Sequence, residues 1–300
     1  MSDAASWNGG GVLVVGAGGM LGRAIRETLA RRETAFRAGD LDRCDITDAR
    51  SVEAFIGPGV GVVINCAAYT EVDKAEVELE KARLVNAAGV ANLAARCKQV
   101  GATLVHYSTD YVFRGEASSP YPTDTRREPL NAYGVSKGEG EAALEASGCD
   151  YLCLRTSWLY APWGKNFVRT ITKFASEKPV LRVVDDQRGR PTSAEHLAEL
   201  TLRMLDARAR GMHHATDAGE CTWFEFAEAI VAGARADAER RGDARAWARV
   251  EPCTSAEFPR PAKRPAYSVL DLSKTEGLIG PITHWRDTLA SVMPRLERPL

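Results

Sequence analysis

The stretch that decides the fold is GVLVVGAGGMLG, residues 11–22. Its first five residues are apolar and rich in valine, as in a strand buried on both faces of a parallel sheet. Glycines follow at positions 16, 18, 19 and 22, and a helical pattern then runs through Arg31. The backbone N–H groups of such a turn face an anion together with a helix N-terminus. The stretch therefore predicts the first βα unit of a dinucleotide-binding sheet.

The spacing of these glycines differs from the standard G-x-G-x-x-G, which, begun at Gly16, would need its third glycine at Leu21. The pattern is instead G-x-x-G-x-x-G. Glycine allows positive φ and lets a pyrophosphate approach the backbone closely. An ordinary tight βα turn is the alternative. The residues predicted to bind the cofactor's phosphates are Gly16, Gly18, Gly19, Met20, Leu21 and Gly22.

Asp40 follows a second predicted strand at residues 35–38, roughly 20 residues beyond the glycines. A carboxylate at this place binds the hydroxyls of the adenosine ribose, whereas a basic residue favours a 2′-phosphate. Because Arg43 stands only a little further on, the sequence favours NADH weakly and leaves NADPH open. A solvated loop carboxylate is the alternative interpretation of Asp40.

Residues 61–70 are predicted to form another buried strand that runs into small residues, and small side chains at the carboxyl end of a strand let a cofactor lie across the edge of the sheet. Residues 81–100 form an amphipathic pattern that Gly101 ends, which predicts a helix. From these segments and the loop after Asp40, the further predicted cofactor contacts are Asp45, Ile46, Ala67, Ala68, Tyr69 and Asn86.

The segment NAYGVSK, residues 131–137, holds Tyr133 and Lys137 four residues apart, on one face of a predicted helix. A free phenol has a pKa near ~10 and exchanges protons poorly at neutral pH. A neighbouring ammonium lowers the pKa of the phenol towards working pH. The pair then suits protonation of a developing alkoxide or the reverse reaction. A tyrosine packed on a lysine stem is the alternative.

Strand and helix patterns alternate across the first 155 residues, which predicts an α/β fold with a doubly wound, mostly parallel, Rossmann-like sheet. The glycines, Ala67, Thr109 and Tyr133 fall at or just after predicted strand ends, and ligands bind beyond the carboxyl ends of such strands. The predicted domains are a disordered leader (1–10), a dinucleotide-binding domain (11–157, rejoined by 193–220) and a smaller C-terminal α/β substrate-binding domain (158–192 and 221–300).

Composition excludes several classes of function. The 39 Lys and Arg residues balance 40 Asp and Glu residues, so no nucleic-acid partner is expected. No apolar run reaches the length of a membrane span, and residues 1–11 do not resemble a signal peptide. Seven scattered cysteines without a CxxC pair predict reduced thiols in the cytoplasm. Without a carboxylate cluster we expect no metal, and residues 235–249 are interpreted as a solvated helix or insertion.

The glycine pattern and the Tyr133–Lys137 pair together resemble the extended short-chain dehydrogenase/reductase superfamily. Further segments are similar, more narrowly, to the dTDP-4-dehydrorhamnose reductase family. These segments are residues 106–113, 155–160 and 186–192, Arg264 with Pro265, and residues 268–271. The resemblance runs from about Val12 to near the C-terminus, in the family's order.

This resemblance implies reduction of the C4 ketone of dTDP-6-deoxy-L-lyxo-4-hexulose to dTDP-L-rhamnose, with NADH or NADPH as cofactor. It implies that Tyr133 is the general acid and that Thr109 helps to hold the C4 oxygen. It also implies that Lys137 binds the nicotinamide ribose and lowers the pKa of Tyr133. The resemblance places Asp110, Tyr111 and Trp158 against the sugar, and the candidates for the nucleotide end are Asn166, Gln187 and Arg264.

Two other functions stay open on the same scaffold. A nucleotide-sugar epimerase or dehydratase would consume no reduced cofactor overall. A non-catalytic NAD(P)-binding regulatory subunit would bind cofactor without turnover, although the presence of Thr109, Tyr133 and Lys137 argues against it. The expected partner is a nucleotide sugar, with neither nucleic acid nor membrane, and the oligomeric state is open, a homodimer included.

Overall fold

Six parallel strands form the central sheet in a computed structural model of the chain, which describes residues 7–297. The strands are β1 (Gly11–Val15), β2 (Phe36–Gly39), β3 (Val60–Asn65), β4 (Thr103–Thr109), β5 (Tyr151–Thr156), β6 (Leu159–Tyr160), β7 (Val180–Val184), β8 (Arg188–Gly189), β9 (Thr192–Ser193), β10 (Gly211–His214), β11 (Cys221–Thr222) and β12 (Arg249–Cys253). The order across the central sheet is β2-β1-β3-β4-β5-β10. This order confirms the predicted doubly wound α/β fold.

Helices follow most strands of this sheet. They are α1 (Met20–Arg31), α2 (Ala49–Phe55), α3 (Val72–Ala75), α4 (Leu79–Arg83), α5 (Gly89–Val100), α6 (Ala132–Ala146), α7 (Phe167–Glu177), α8 (Ala194–Asp206), α9 (Trp223–Arg240), α10 (Ser273–Ile279) and α11 (Trp285–Val292). None of these helices, within residues 7–297, combines the length and the apolarity that crossing a bilayer requires.

Alternation along the strands separates two hydrophobic cores. Val12 and Val14 of β1 pack with α1 and α8 on one face of the sheet. Leu13 and Val15 pack with α2 and α5 on the other face. Because successive side chains of a strand point to opposite faces, a strand buried on both sides needs an uninterrupted apolar run. The run at residues 11–15 therefore fixes β1 as an interior strand.

The direction of winding reverses between β1 and β3, which lie side by side in parallel. The chain runs from β1 outward to β2 and then returns across β1 to β3. A crevice opens at the carboxyl ends of the strands where the winding reverses, and ligands of doubly wound sheets bind there. The glycine turn lies at this position.

Smaller pairs of strands and a third core lie beyond residue 157. The β7–β12 pair is parallel and the β8–β11 pair antiparallel. The third core contains Tyr160, Phe226 and Trp285 and joins α7, α9 and α11. Strand β10 returns to the central sheet beside β5. The exact division into domains stays a prediction.

Two stretches differ from the sequence-based expectation. Of the predicted leader, residues 1–6 lie outside the described residues, but Trp7–Gly9 form a 3-10 helix with Trp7 buried. The Trp7 indole donates to Asp206 Oδ1 at 2.9 Å, so an aromatic anchor gives this part of the leader a fixed place. The charged run at 235–249 is not one element, because α9 ends at Arg240 and β12 begins at Arg249.

The helix predicted over residues 81–100 is interrupted. Helix α4 passes into a π-helical turn, Leu84–Ala88, before α5 begins. Gly101 ends α5 with φ +72°, as expected for a glycine C-cap. A single π turn inside a helix is rare and is frequent at functional sites. Here it contains Asn86, a predicted site residue.

A buried ion pair ties α6 to β5, and its loss provides a test of the fold. Glu141 accepts from Arg155 Nε and Nη2 at 2.9 and 2.8 Å, and both side chains are buried. Glu141→Gln leaves Arg155 without its counter-charge, so we expect urea unfolding to show a loss of about 3–5 kcal/mol. Glu145→Gln, which removes an exposed partner of Arg127, is the control, with an expected loss below about 1 kcal/mol. Equal losses in the two variants would contradict this account.

Candidate active site

The glycine turn after β1 has no space for side chains at two positions. Gly16 has φ +71°, and a Cβ there would lie 2.4 Å from the backbone nitrogen of Ala67. A Cβ on Gly22 would lie 2.2 Å from the carbonyl oxygen of Gly16. Gly19 begins α1 without a side-chain cap, so the first N–H groups of the helix are open to a ligand. The turn thus has the form of an anion cradle.

Asp40, directly after β2, lies against this turn. Its Oδ1 accepts from the backbone N–H of Gly18 at 2.9 Å. A Cβ on Gly18 would lie 2.9 Å from Oδ2, so glycine lets the carboxylate come close. Asp45 and Ile46, which were predicted to contact the cofactor, follow Asp40 in the chain. Asp45 Oδ1 accepts from both the N–H and the hydroxyl of Thr47, and Ile46 is buried. Direct contact of these residues with a cofactor stays a prediction.

Asn86 holds the loop after β3 in place. Its Oδ1 accepts from the N–H of Tyr69 at 2.9 Å, and its Nδ2 donates to the carbonyl of Tyr69 and to Ser136 Oγ, each at 3.0 Å. All the polar atoms of this buried amide therefore have protein partners. Asn86 links the loop of Ala67, Ala68 and Tyr69 to α6, a positioning role that the sequence did not predict.

Tyr133 lies in the first turn of α6, which Asn131 caps by accepting from the N–H of Gly134 at 2.8 Å. Burial raises the pKa of the Tyr133 phenol, the Asp110 carboxylate raises that pKa further, and the neighbouring Thr109 hydroxyl opposes both effects. The pKa of Tyr133 is thus raised, where the Tyr133–Lys137 spacing predicts a fall. The effect of Lys137 itself stays a prediction. The phenol is held protonated, which suits a proton donor.

Thr109, the last residue of β4, is hydrogen-bonded to Asp110. Its Oγ1 donates to Asp110 Oδ1 at 3.0 Å and accepts from the N–H of Tyr111 at 3.2 Å. A hydroxyl carries one proton, so Thr109 cannot donate to an ionised Asp110 and to another acceptor at once. When Asp110 is protonated it can itself donate, which frees the Thr109 proton. The ionisation of Asp110 therefore decides what Thr109 can bind.

Lys137 follows Tyr133 on the same helix and is almost completely buried. Its Nζ donates to the carbonyl of Tyr107 at 2.6 Å and lies 3.2 Å from His106 Nε2. Burial lowers the pKa of Lys137 to about 8, against smaller opposing effects of Cys153 and Glu141. The sequence pattern found Lys137 but did not find these two partners.

The residues predicted to bind the sugar nucleotide have different neighbours in the ligand-free protein. The rings of Tyr111 and Tyr133 meet edge to face with centroids 6.0 Å apart. Trp158, with φ +47°, stacks on Trp223 at 3.5 Å between centroids. Arg264 donates to Asp73 Oδ1 at 2.8 Å and lies close enough to Tyr111 to lower the pKa of that phenol against the dominant effect of burial.

Two residues predicted at the nucleotide end are engaged in structural contacts. Asn166 caps α7 by accepting from the N–H of Arg169 at 3.2 Å, while its Nδ2 donates to the carbonyls of Ala161 and Trp163. Gln187 Nε2 donates to Ser255 Oγ at 2.8 Å. The geometry does not favour a binding role for Asn166, whose polar atoms all have protein partners, and it ties Gln187 to a neighbouring loop.

Comparison with known families agrees with this site. The family profile described as RmlD substrate binding domain matches residues 10–298. A relative from Mycolicibacterium smegmatis named dTDP-4-dehydrorhamnose reductase is 40% identical over 93% of this chain and 83% of its own length. The chain belongs to the RmlD family of dTDP-4-dehydrorhamnose reductases.

Other members show the range of this RmlD family. A solved structure of dTDP-4-dehydrorhamnose reductase from Bacillus anthracis, in complex with NADP, superposes with a TM-score of 0.87 at 34% identity, covering 94% of this chain and 97% of that one. A relative from Streptomyces antibioticus, 39% identical over 94% of both chains, is named as a probable dTDP-4,6-dihydroxy-2-methyloxan-3-one 4-ketoreductase. The family therefore includes ketoreductases named for more than one dTDP-linked sugar.

Sequence reasoning missed three residues that organise the site of this RmlD family member. His106 lies in strand β4, which is buried along its whole length, and a titratable residue in a buried strand was the available signal. Asn65, the last residue of β3, contacts His106. In the sequence, its position at the end of a strand was the only sign that it belongs to the site. Asp73 pairs with Arg264 across 191 positions of sequence, a separation that no local pattern reveals. Among residues 7–297, no group of three or more potential metal ligands is close enough to hold an ion.

The Asp110 carboxyl makes stability depend on pH. Burial raises the pKa of Asp110 from 3.8 to about 7. Its stabilising contribution is thus complete below the unfolded pKa and lost as the pH rises through about 7. We expect the unfolding free energy of Asp110→Asn, relative to wild type, to increase by at most about 4 kcal/mol between pH 4 and pH 8. Urea unfolding at both pH values measures this.

The control for Asp110 is Asp124→Asn, which changes an exposed aspartate on the loop before α6. Its stability relative to wild type should stay level over the same pH range. If Asp110→Asn shows a level difference too, the buried carboxyl of Asp110 is not the source of the pH dependence.

Proposed function

We propose that this chain reduces the C4 ketone of dTDP-6-deoxy-L-lyxo-4-hexulose to dTDP-L-rhamnose with NADH or NADPH. The observation that carries the proposal is the protonated phenol of Tyr133, close enough to Thr109 and Asp110 at the carboxyl end of β4 for both to influence its pKa, in a chain of this family. Ketone reduction creates negative charge on oxygen, and a preplaced O–H donor both stabilises that charge and neutralises it.

The residues at the switch point fit a dinucleotide. Gly16 and Gly22 leave a cradle that a Cβ would fill, and α1 offers the open N–H groups of its first turn. Pyrophosphate is the group that such a turn binds in doubly wound folds. Asp40 stands where a carboxylate can accept from ribose hydroxyls. When bound, the cofactor supplies the hydride that the ketone receives.

Three side chains have the other roles in the proposed reaction. Tyr133 delivers its proton to the carbonyl oxygen of the sugar, and its raised pKa keeps that proton in place until the alkoxide, a stronger base, develops. Thr109 is the second donor to this oxygen when Asp110 is protonated. Lys137, one turn along α6, is proposed to bind the nicotinamide ribose.

The diphosphate of the substrate is proposed to bind Arg264. This guanidinium is held by Asp73 in the ligand-free protein, beside Tyr111. Arg binds diphosphate oxygens through two parallel hydrogen bonds, which a single carboxylate oxygen at one Arg nitrogen does not match. We place the enzyme in the cytoplasm, because seven free thiols suit a reducing compartment. A homodimer stays a prediction.

Replacing the general acid tests the reaction. Tyr133→Phe removes the proton donor and keeps the ring, so kcat should fall by about 10²–10⁴-fold. The measurement is the oxidation of NADH and of NADPH with the ketosugar made in situ. The Kd for the cofactor is measured as well, and it should be the same in the variant as in the wild type. Tyr151→Phe, a tyrosine of β5 outside the site, is the matched control. Wild type without oxidation of either cofactor would sink the proposal.

The same assay separates the alternatives. Sugar conversion without net loss of reduced cofactor indicates an epimerase or dehydratase. Cofactor binding without turnover on any ketosugar indicates a regulatory subunit.

Cofactor preference is tested at Asp40. Its carboxylate repels a 2′-phosphate and attracts ribose hydroxyls, so Asp40→Asn should shift the ratio of kcat/KM towards NADPH by about tenfold. Asp42→Asn, an exposed aspartate two residues further on, should leave the ratio unchanged. The kcat/KM values for both cofactors are measured in each variant, and an unchanged ratio in Asp40→Asn would contradict the placement of Asp40 at the ribose.

A further inference from the structure

Lys137 faces a histidine inside the protein, and hydrogen-bond chemistry restricts the protons that the two can hold. The Lys137 Nζ lies 3.2 Å from His106 Nε2, and both side chains are at most 2% exposed. Its second partner is the carbonyl of Tyr107. No bulk water reaches either group, so their protons must be arranged among protein partners.

The orientation of Asn65 fixes the tautomer of His106. The N–H of Ala67 can only donate, and it donates to Asn65 Oδ1 at 3.0 Å. The amide nitrogen of Asn65 therefore points the other way and lies 3.2 Å from His106 Nδ1. An amide NH2 only donates, so Nδ1 must accept. A neutral imidazole carries one proton, and that proton is then on Nε2.

The Nε2–H of His106 points at Lys137. Only the uncharged amine of Lys137 can accept a hydrogen bond from it. A lysine ammonium is a donor without a lone pair, so two donors would face each other at 3.2 Å. A neutral amine has a lone pair that accepts from Nε2–H, and its own N–H still donates to Tyr107. An imidazolium would place a donor against Asn65 as well. The uncharged pair is the arrangement that satisfies every contact.

We propose that His106, fixed as its Nε2–H tautomer by Asn65, is a positioning residue that disfavours the ammonium form of Lys137 in the cofactor-free protein. An acceptor that replaces the contact with His106 then favours the ammonium. The proposal rests on the proposed function only in assigning Lys137 to the catalytic site, and its test needs no turnover.

The other groups around Lys137 are compatible with this protonation state. The titratable groups facing it are His106 on β4, Cys153 on β5 and Glu141 on α6. Arg155 neutralises Glu141 through two hydrogen bonds, so no free carboxylate holds an ammonium in place. Burial lowers the pKa of His106 well below its usual value and that of Lys137 to about 8.

The test is a titration of the full-length, cofactor-free protein labelled with ¹³Cε-lysine. Lys137 is assigned by the signal lost in Lys137→Met. We expect its midpoint to lie about two pH units below those of the exposed lysines. Long-range ¹H–¹⁵N correlation should show His106 with a protonated Nε2 and an unprotonated Nδ1. A Lys137 midpoint among those of the exposed lysines, or a protonated Nδ1, would overturn the proposal.

Variants separate the histidine from burial alone. His106→Gln offers an amide oxygen that accepts from an ammonium, so the Lys137 midpoint should rise by about one pH unit or more. His213→Gln, a buried histidine of β10 in the same sheet, should leave it unchanged. An unmoved midpoint in folded His106→Gln would overturn the role of His106. If that variant does not fold, the tautomer of His106 measured in the wild type decides whether the proposal stands. Neither result depends on whether the enzyme turns over the proposed ketosugar.

Discussion

No side chain fits between the carboxyl ends of β1 and β3, and the site depends on that constraint. The turn at Gly16 abuts the backbone of Ala67, and α1 starts directly over the same turn. Because the winding of the sheet reverses here, the backbone N–H groups of the turn open into the crevice. Any side chain at Gly16 or Gly22 would separate β1 from its neighbours and close the cradle.

Around this fixed edge, the chemistry is controlled by the positions of single protons. Thr109 donates its one proton to Asp110, and His106 has one proton between Asn65 and Lys137. In a dry interior, a donor that faces a donor costs more than a hydrogen bond contributes. The preferred protonation state of each pair therefore shifts when a ligand changes its partners. The backbone N–H groups of Ala67 and Tyr111 donate to Asn65 and Thr109, so the backbone at the ends of the strands fixes the orientation of these two side chains.

Much of the fold was accessible from the sequence, because apolar strands and glycine turns are local signals. The run at 11–15 and the glycines of the turn predict the sheet, the switch point and the edge that binds ligands. Tyr133 and Lys137 were likewise found from their helical spacing. What failed was the pKa of Tyr133, which burial raises although the pattern predicts a fall. Spacing places two side chains on one face but says nothing about desolvation or about a third group that alters the charge.

The pairs that close the site were also beyond sequence reasoning. Asp73 and Arg264 are far apart in the sequence but form an ion pair, and the contacts by which Asn86 fixes the loop at Tyr69 were not predicted. Such contacts follow from packing of distant elements rather than from residue type. A side chain that has both a donor and an acceptor can form hydrogen bonds with many different partners, and only the folded structure shows which partners it has.

The π turn at Leu84–Ala88 gives the site an unusual sensitivity to chain length. A π turn holds one residue more than the α-helical turn it replaces, and each residue of a regular helix adds a rotation of about 100°. Removing one residue here would restore a regular helix at little local cost, yet it would swing the Asn86 amide away from Tyr69 and Ser136. Gly140 on α6, where a Cβ would lie 2.0 Å from the Asn86 carbonyl oxygen, matches the bulged path of this turn. Insertions and deletions in this segment thus act on the active site as directly as substitutions within it.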